Sequence, residues 1–125
     1  MSESKNYNLS SLNDLVEGSD EAINNMIIAF QNSTPKILED IQACFTESDY
    51  ERLANLSHKF KSSVDIFGID DLKEDIRKLE NLCRNKPERD VIEGLISKVI
   101  SVSELVMGEF KRDFPGQNAK DKGQG

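Results

Sequence analysis

The stretch Leu53–Gly68, LANLSHKFKSSVDIFG, decides how this 125-residue chain folds. Its apolar residues Leu53, Leu56, Phe60, Val64 and Phe67 recur at spacings of three and four, the signature of an amphipathic helix. At about 100° per residue they occupy a sector of roughly 80°. His58, the only histidine in the chain, lies about 160° from Phe60 on that wheel, near the middle of the opposite face. Asn55, Lys61, Ser62 and Asp65 share that face. The helix therefore buries its phenylalanines and displays one imidazole to whatever lies outside.

The rest of the chain reads as helices around this one. Leu9, Leu12 and Val16 predict a short opening helix that stops at Gly18. Ser19 offers an N-cap, and Asp20 and Glu21 suit the positive end of the helix that follows. That helix carries Ile23, Ile27, Phe30, Leu38, Ile41 and Phe45. Thr34-Pro35 interrupts it, yet the apolar phase runs through from Phe30 to Ile37 and Ile41, which predicts one bent helix and not two. Ser48-Asp49-Tyr50-Glu51 has capping-box spacing and is expected to open the histidine-bearing helix with Ser48 as its cap. Gly68 closes it. A fourth helix begins near Asp70 or Asp71 with Leu72, Ile76, Leu79 and Cys83 inward, and fades at Asn85-Lys86-Pro87. The last runs from about Glu88 to Asp113 on Ile92, Leu95, Val99, Val102 and Val106.

No segment alternates with period two, so the fold expected is all-α. Four long amphipathic helices with short connections predict an antiparallel up-down-up-down four-helix bundle with a short additional N-terminal helix. Residues 1–114 are expected to form this one domain. Residues 115–125, with nothing to bury, are expected to form a disordered C-terminal tail.

Composition narrows the function. A net charge of −7 argues against nucleic acid as a partner, since phosphate binding needs a clustered cationic surface. No apolar run approaches the roughly 18 residues that span a bilayer, and the polar start MSESKNYNLSS is no secretory signal. Cys44 and Cys83 fall at apolar helical positions and read as buried free thiols, consistent with a cytoplasmic chain. No phosphate-cradling glycine loop, metal-ligand spacing or nucleophile elbow is present. With one histidine, neither a metal site nor a Ser-His-Asp triad is expected, and no cofactor is implied.

The run His58–Gly68, HKFKSSVDIFG, resembles the signature of histidine-containing phosphotransfer (HPt) domains, roughly H-x-x-K-G-S-x-x-x-x-G. His58, Lys61, Ser63 and Gly68 match it; Ser62 stands where the family usually has glycine. Met26–Ile41, MIIAFQNSTPKILEDI, is similar to the family's F-x-x-x-x-P-x-x-L helix, and Leu72, Leu79 and Glu80 resemble its next helix. The resemblance covers roughly residues 9–113. It implies that His58 accepts a phosphoryl group from a receiver-domain aspartate and passes it to another receiver, the phosphoryl having entered the relay through a hybrid sensor histidine kinase.

An exposed imidazole is mainly unprotonated near neutral pH, so no neighbouring base is required. Positioning and charge stabilisation dominate phosphoryl transfer. Lys61, one turn from His58, is placed to offset phosphoryl charge. Asn55, Lys59, Ser62 and Asp65 would form the rim that a partner touches. Among the helix neighbours of His58 no carboxylate is placed to activate water against a stored phosphoryl group, and Glu80 reads as a solvated helix residue. The chain would be a monomeric carrier and substrate, not an enzyme. Two other readings compete: a helical adaptor in which His58 is incidental, and a histidine-kinase dimerisation module. The second usually places an acidic residue and soon a proline after its histidine; here Lys59 follows, and no proline comes before Pro87.

Overall fold

The computed structural model describes residues 5–114, and every described element is helical. Five α-helices follow one another: α1 (Ser10–Leu15), α2 (Asp20–Thr46), α3 (Tyr50–Ile66), α4 (Lys73–Asn85) and α5 (Arg89–Asp113), with a 3-10 turn at Asp70–Leu72 leading into α4. The expected tail, 115–125, lies outside the described residues. No described helix is long and apolar enough to cross a membrane.

The caps follow the local chemistry, with one shift. Ser19 caps α2, its hydroxyl accepting from the Ala22 N–H at 3.1 Å. At α3 the cap is Asp49, not Ser48: the Asp49 carboxylate accepts from the Arg52 N–H at 3.2 Å. Ser48 instead turns the chain out of α2 with a left-handed φ of 56°, and its hydroxyl accepts from Arg89. The capping box shifts because one left-handed residue is needed between two helices joined this tightly.

α2 runs unbroken through Pro35, which faces solvent. Ile27, Phe30, Thr34, Leu38 and Ile41 keep a single buried row on either side of it. One core joins this row to Leu53, Phe60 and Val64 of α3, Leu72, Ile76 and Leu79 around α4, and Ile92, Val99 and Val106 of α5. Cys44 and Cys83 are buried and free, and burial pushes the Cys83 thiol up to about 11. On α5, Ile96 is buried where Leu95 is only partly so, and the row extends to Phe110.

Residue pairs between neighbouring helices run in opposite senses. Asn55, His58 and Asp65 of α3 meet Arg84, Glu80 and Arg77 of α4. Gln31 and Phe45 of α2 meet Met107 and Arg89 of α5.

Sequence periodicity gives no hint of how the N-terminal segment is held. Residues 6–8 lie as a strap across one end of the bundle. The Asn6 backbone N–H and side-chain amide donate to the two oxygens of the buried Glu109 carboxylate at 2.8 and 2.7 Å. The Tyr7 hydroxyl donates to Asp113 at 2.7 Å, and its ring packs 4.7 Å from Phe110. The Asn8 N–H donates to the Phe67 carbonyl at 3.0 Å. Arg112 and the Tyr7 hydroxyl together hold the Asp113 carboxyl down to about 2. Beneath the strap, Phe110 packs against Phe30 and Phe67 at 5.5 and 5.8 Å between ring centres.

Gly68 is what lets the strap approach. Its φ is +60°, and a Cβ there would collide with the backbone carbonyl of Asn8. Gly68→Ala should therefore destabilise the fold by about 1–3 kcal/mol from backbone conformation alone, with displacement of the strap added. Gly94, in α5, has open space around its missing Cβ, so Gly94→Ala should stabilise by about 0.5–1 kcal/mol. Urea denaturation of both variants checks the pair; two effects of the same sign would contradict the packing described.

Candidate functional site

α3 divides its residues as periodicity predicts. Phe60 is 1% exposed while the His58 side chain is 60% exposed. Ala54 and Ser57 are small and buried on the flank facing α4. The Ser57 hydroxyl donates back to the Leu53 carbonyl at 2.9 Å, which satisfies it inside the core. Small residues there let α4 lie close, and α3 and α4 pack along their length. That proximity brings α4 side chains to the imidazole.

The residue so placed is Glu80. Its Oε2 lies 3.0 Å from His58 Nδ1 and accepts from Arg84 Nε at 3.1 Å; its Oε1 accepts from Lys61 Nζ at 3.2 Å. Only 14% of the Glu80 side chain is exposed, so the expectation of a solvated helix residue is overturned. Partial burial pushes its carboxyl up, but the hydrogen bonds from Arg84, Lys61 and His58 outweigh this and hold it below the usual carboxylate range. An ionised carboxylate has lone pairs and no proton to give. The proton between Glu80 and His58 therefore belongs to Nδ1, and the lone pair of the neutral ring is left on Nε2. The acceptor comes from a different helix, α4, and not from a neighbour of His58 within α3.

The remaining predicted residues fall around this pair. Lys61 is not a free lysine: it is a quarter exposed and tied to Glu80. Asn55 is exposed and accepts from Arg84 at 3.3 Å. Lys59 and Ser62 are exposed beside His58 without a described hydrogen bond or ion pair. Asp65 is held by Arg77 at 2.7 Å. Asn55, His58, Lys61 and Asp65 thus all lie along the α3–α4 seam, whereas Lys59 and Ser62 stand off it.

Glu80 and Arg84 are the site residues that a reading of α3 misses. A signal was available: Glu80 and Arg84 form an i,i+4 pair of the favourable polarity, and Glu80 flanks the apolar row of Ile76, Leu79 and Cys83. What periodicity lacks is the register of α4 against α3.

Comparison with known proteins gives the family. The family model for the Hpt domain matches residues 25–105, and the chain belongs to that family. No curated protein and no solved structure gives a significant match. Hpt domains are phosphocarrier modules of histidine phosphorelays that interact with receiver domains and kinases. The matched span includes His58, Lys61, Ser62, Glu80 and Arg84.

Nitrogen-15 NMR should find neutral His58 with its proton on Nδ1, and Glu80→Ala should lose that preference; a wild-type ring protonated on Nε2 would contradict the hydrogen bond. Because Glu80 is depressed below its ordinary 4.5, the stability it lends is complete above that pH and is lost as pH falls through the folded value. Acid titration of stability should therefore be steeper for the wild type than for Glu80→Gln in that window.

Proposed function

We propose that this chain is a phosphorelay intermediate in which His58 accepts a phosphoryl group from the aspartate of one receiver domain and passes it to that of another. The observation that carries this reading is the exposed imidazole whose Nδ1 is occupied by Glu80, within a chain of the Hpt family. The donor is an acyl phosphate. Nε2 attacks phosphorus, the N–P bond forms as the O–P bond breaks, and the receiver's carboxylate leaves. The ring becomes a phosphoimidazolium whose Nδ1–H remains hydrogen-bonded to Glu80, which offsets the positive charge that develops. Transfer onward is the reverse step at a second aspartate, and neutral imidazole is the leaving group.

Lys61 and Arg84 are the cations closest to the ring's partner carboxylate. A dianionic phosphoryl group on Nε2 competes with Glu80 for them, so Lys61 serves as the charge-stabilising residue. The receiver supplies the aspartate and the magnesium ion, and this chain is carrier and substrate. Among the described residues, Glu80 is the carboxylate that contacts the ring. Its oxygens are occupied by three donors on the Nδ1 side, which leaves it poorly placed to activate water against a phosphoryl on Nε2.

The same reading takes the helices as an antiparallel up-down-up-down bundle, in keeping with the opposed residue pairs along α3–α4 and α2–α5. Residues 1–114 form one domain, followed by a tail at 115–125. The chain acts as a cytoplasmic monomer, fed by a hybrid sensor kinase. Asn55, Lys59, Ser62 and Asp65 form the rim of the docking face, and no metal or cofactor of its own is required.

Incubation with a phosphorylated receiver should label His58 alone, as an acid-labile, alkali-stable phosphoramidate. His58→Gln should accept nothing yet fold, losing about 0.5–1.5 kcal/mol of stability with the imidazole's hydrogen bond to Glu80. Labelling retained in that variant, or no transfer from any receiver, would leave a helical adaptor as the better reading.

Ser62 lies one turn from His58, on its exposed side. Ser62→Gln should slow transfer sharply while the fold is unchanged; Ser62→Gly should keep or raise the rate and cost about 0.5–1 kcal/mol in helix stability. Transfer by Ser62→Gln at the wild-type rate would remove position 62 from the docking face.

A further inference from the structure

Charge is distributed unevenly among the helices. α3 and α4 together hold seven basic and five acidic side chains, a net of +2, whereas α2 and α5 hold five basic and nine acidic ones, a net of −4. The turn joining α3 to α4 adds the exposed carboxylates of Asp70 and Asp71, so this side is balanced where the opposite side is acidic, and His58 sits on the less negative side of a chain whose net charge is −7.

The positive charge is also arranged. On α4, Lys73, Arg77, Glu80 and Arg84 follow at spacings of four, three and four, which places them in one row along the helix. The contacts of Arg77 with Asp65, Glu80 with His58 and Arg84 with Asn55 turn that row toward α3. Each of its three cations remains more than two-fifths exposed. On α3, Lys59 is exposed about 100° round the wheel from His58, on the flank away from Lys61 and α4. His58 thus lies between a cationic row on one side and Lys59 on the other. Each cation of the row has one carboxylate beside it, Lys73 by Asp70, Arg77 by Asp65 and Arg84 by Glu80, whereas Lys59 has no described ion pair.

We propose that Lys59 together with Lys73, Arg77 and Arg84 forms an electrostatic docking surface for a partner face that is acidic around its acyl phosphate, with α4 supplying three of the four cations. The inference rests on the phosphoryl-carrier reading above and adds to it how the partner is selected and oriented. A partner of that charge meets exposed cations on the balanced α3–α4 side and is repelled by the acidic α2–α5 side, so encounters favour the face that carries His58. Screening acts at this distance: the Debye length is about 10 Å at 0.1 M salt, so such steering fades as salt rises.

Stopped-flow transfer from a receiver domain that phosphorylates the wild-type chain tests this. Its second-order rate constant should fall about tenfold between 20 and 500 mM NaCl. Lys59→Glu and Arg77→Glu should each slow low-salt transfer severalfold, with the deficit vanishing at high salt. Glu104→Lys, an exposed change of opposite sign on α5, should alter the rate less than twofold. A salt-independent wild-type rate, or equal-sized effects at positions 59, 77 and 104, would overturn the surface, the second result meaning that only net charge matters. Labelling of the wild-type chain by phosphoramidate, a small donor that needs no docking surface, separates the two readings. Labelled His58 with salt-independent transfer defeats the docking surface alone; unlabelled His58 with no transfer defeats the carrier reading.

Discussion

The carboxylate of Glu80 accepts from His58 on α3, from Lys61 one turn further along α3, and from Arg84 on its own helix, with most of its surface removed from water. A carboxylate in such a place is costly unless each lone pair is used. Here three donors satisfy both oxygens, and the same three bonds decide the chemistry of the face. They leave the lone pair of the neutral ring on Nε2. They hold Lys61 and Arg84 where an incoming phosphoryl group can draw on them. They also tie α3 to α4 at the level of the imidazole, so the nucleophile is positioned by two helices.

That arrangement requires α3 to serve two environments. Phe60 and Val64 anchor it in the core, and burying a side chain of that size is worth about 1.5–3 kcal/mol. Ala54 and Ser57 keep its flank narrow enough for α4. The core then does not depend on His58, which can stand in water. The strap of residues 6–8 braces the far end of the same helix: it bonds to the Phe67 carbonyl and passes over Gly68, where only a glycine leaves room. The glycine that closes α3 is therefore a packing residue as well as a helix stop.

Much of this was legible in the chain itself. Spacings of three and four marked the five helices, and one phase across Pro35 marked α2 as a single helix. The position of His58 opposite Phe60 followed from 3.6 residues per turn, and the H-x-x-K spacing with Gly68 pointed to the family. Periodicity sees one helix at a time, however. It specifies which side chains share a face and carries no information on what faces them.

Tertiary structure decided the rest. The register of α4 against α3 converted Glu80 from an apparently solvated residue into the acceptor of His58, and Arg84 into a neighbour of Asn55. The tight turn between α2 and α3 moved the cap from Ser48 to Asp49, because a left-handed residue had to be fitted between the helices. The strap found Glu109 and Asp113 more than 100 residues away in sequence, beyond any local pattern. The chain by itself determined which helix bears the nucleophile and which way it points, since both follow from helical geometry and the burial of apolar surface. Which nitrogen is left to react, and which charges surround it, depends on side chains from separate helices meeting at about 3 Å, and that only the packed bundle supplies.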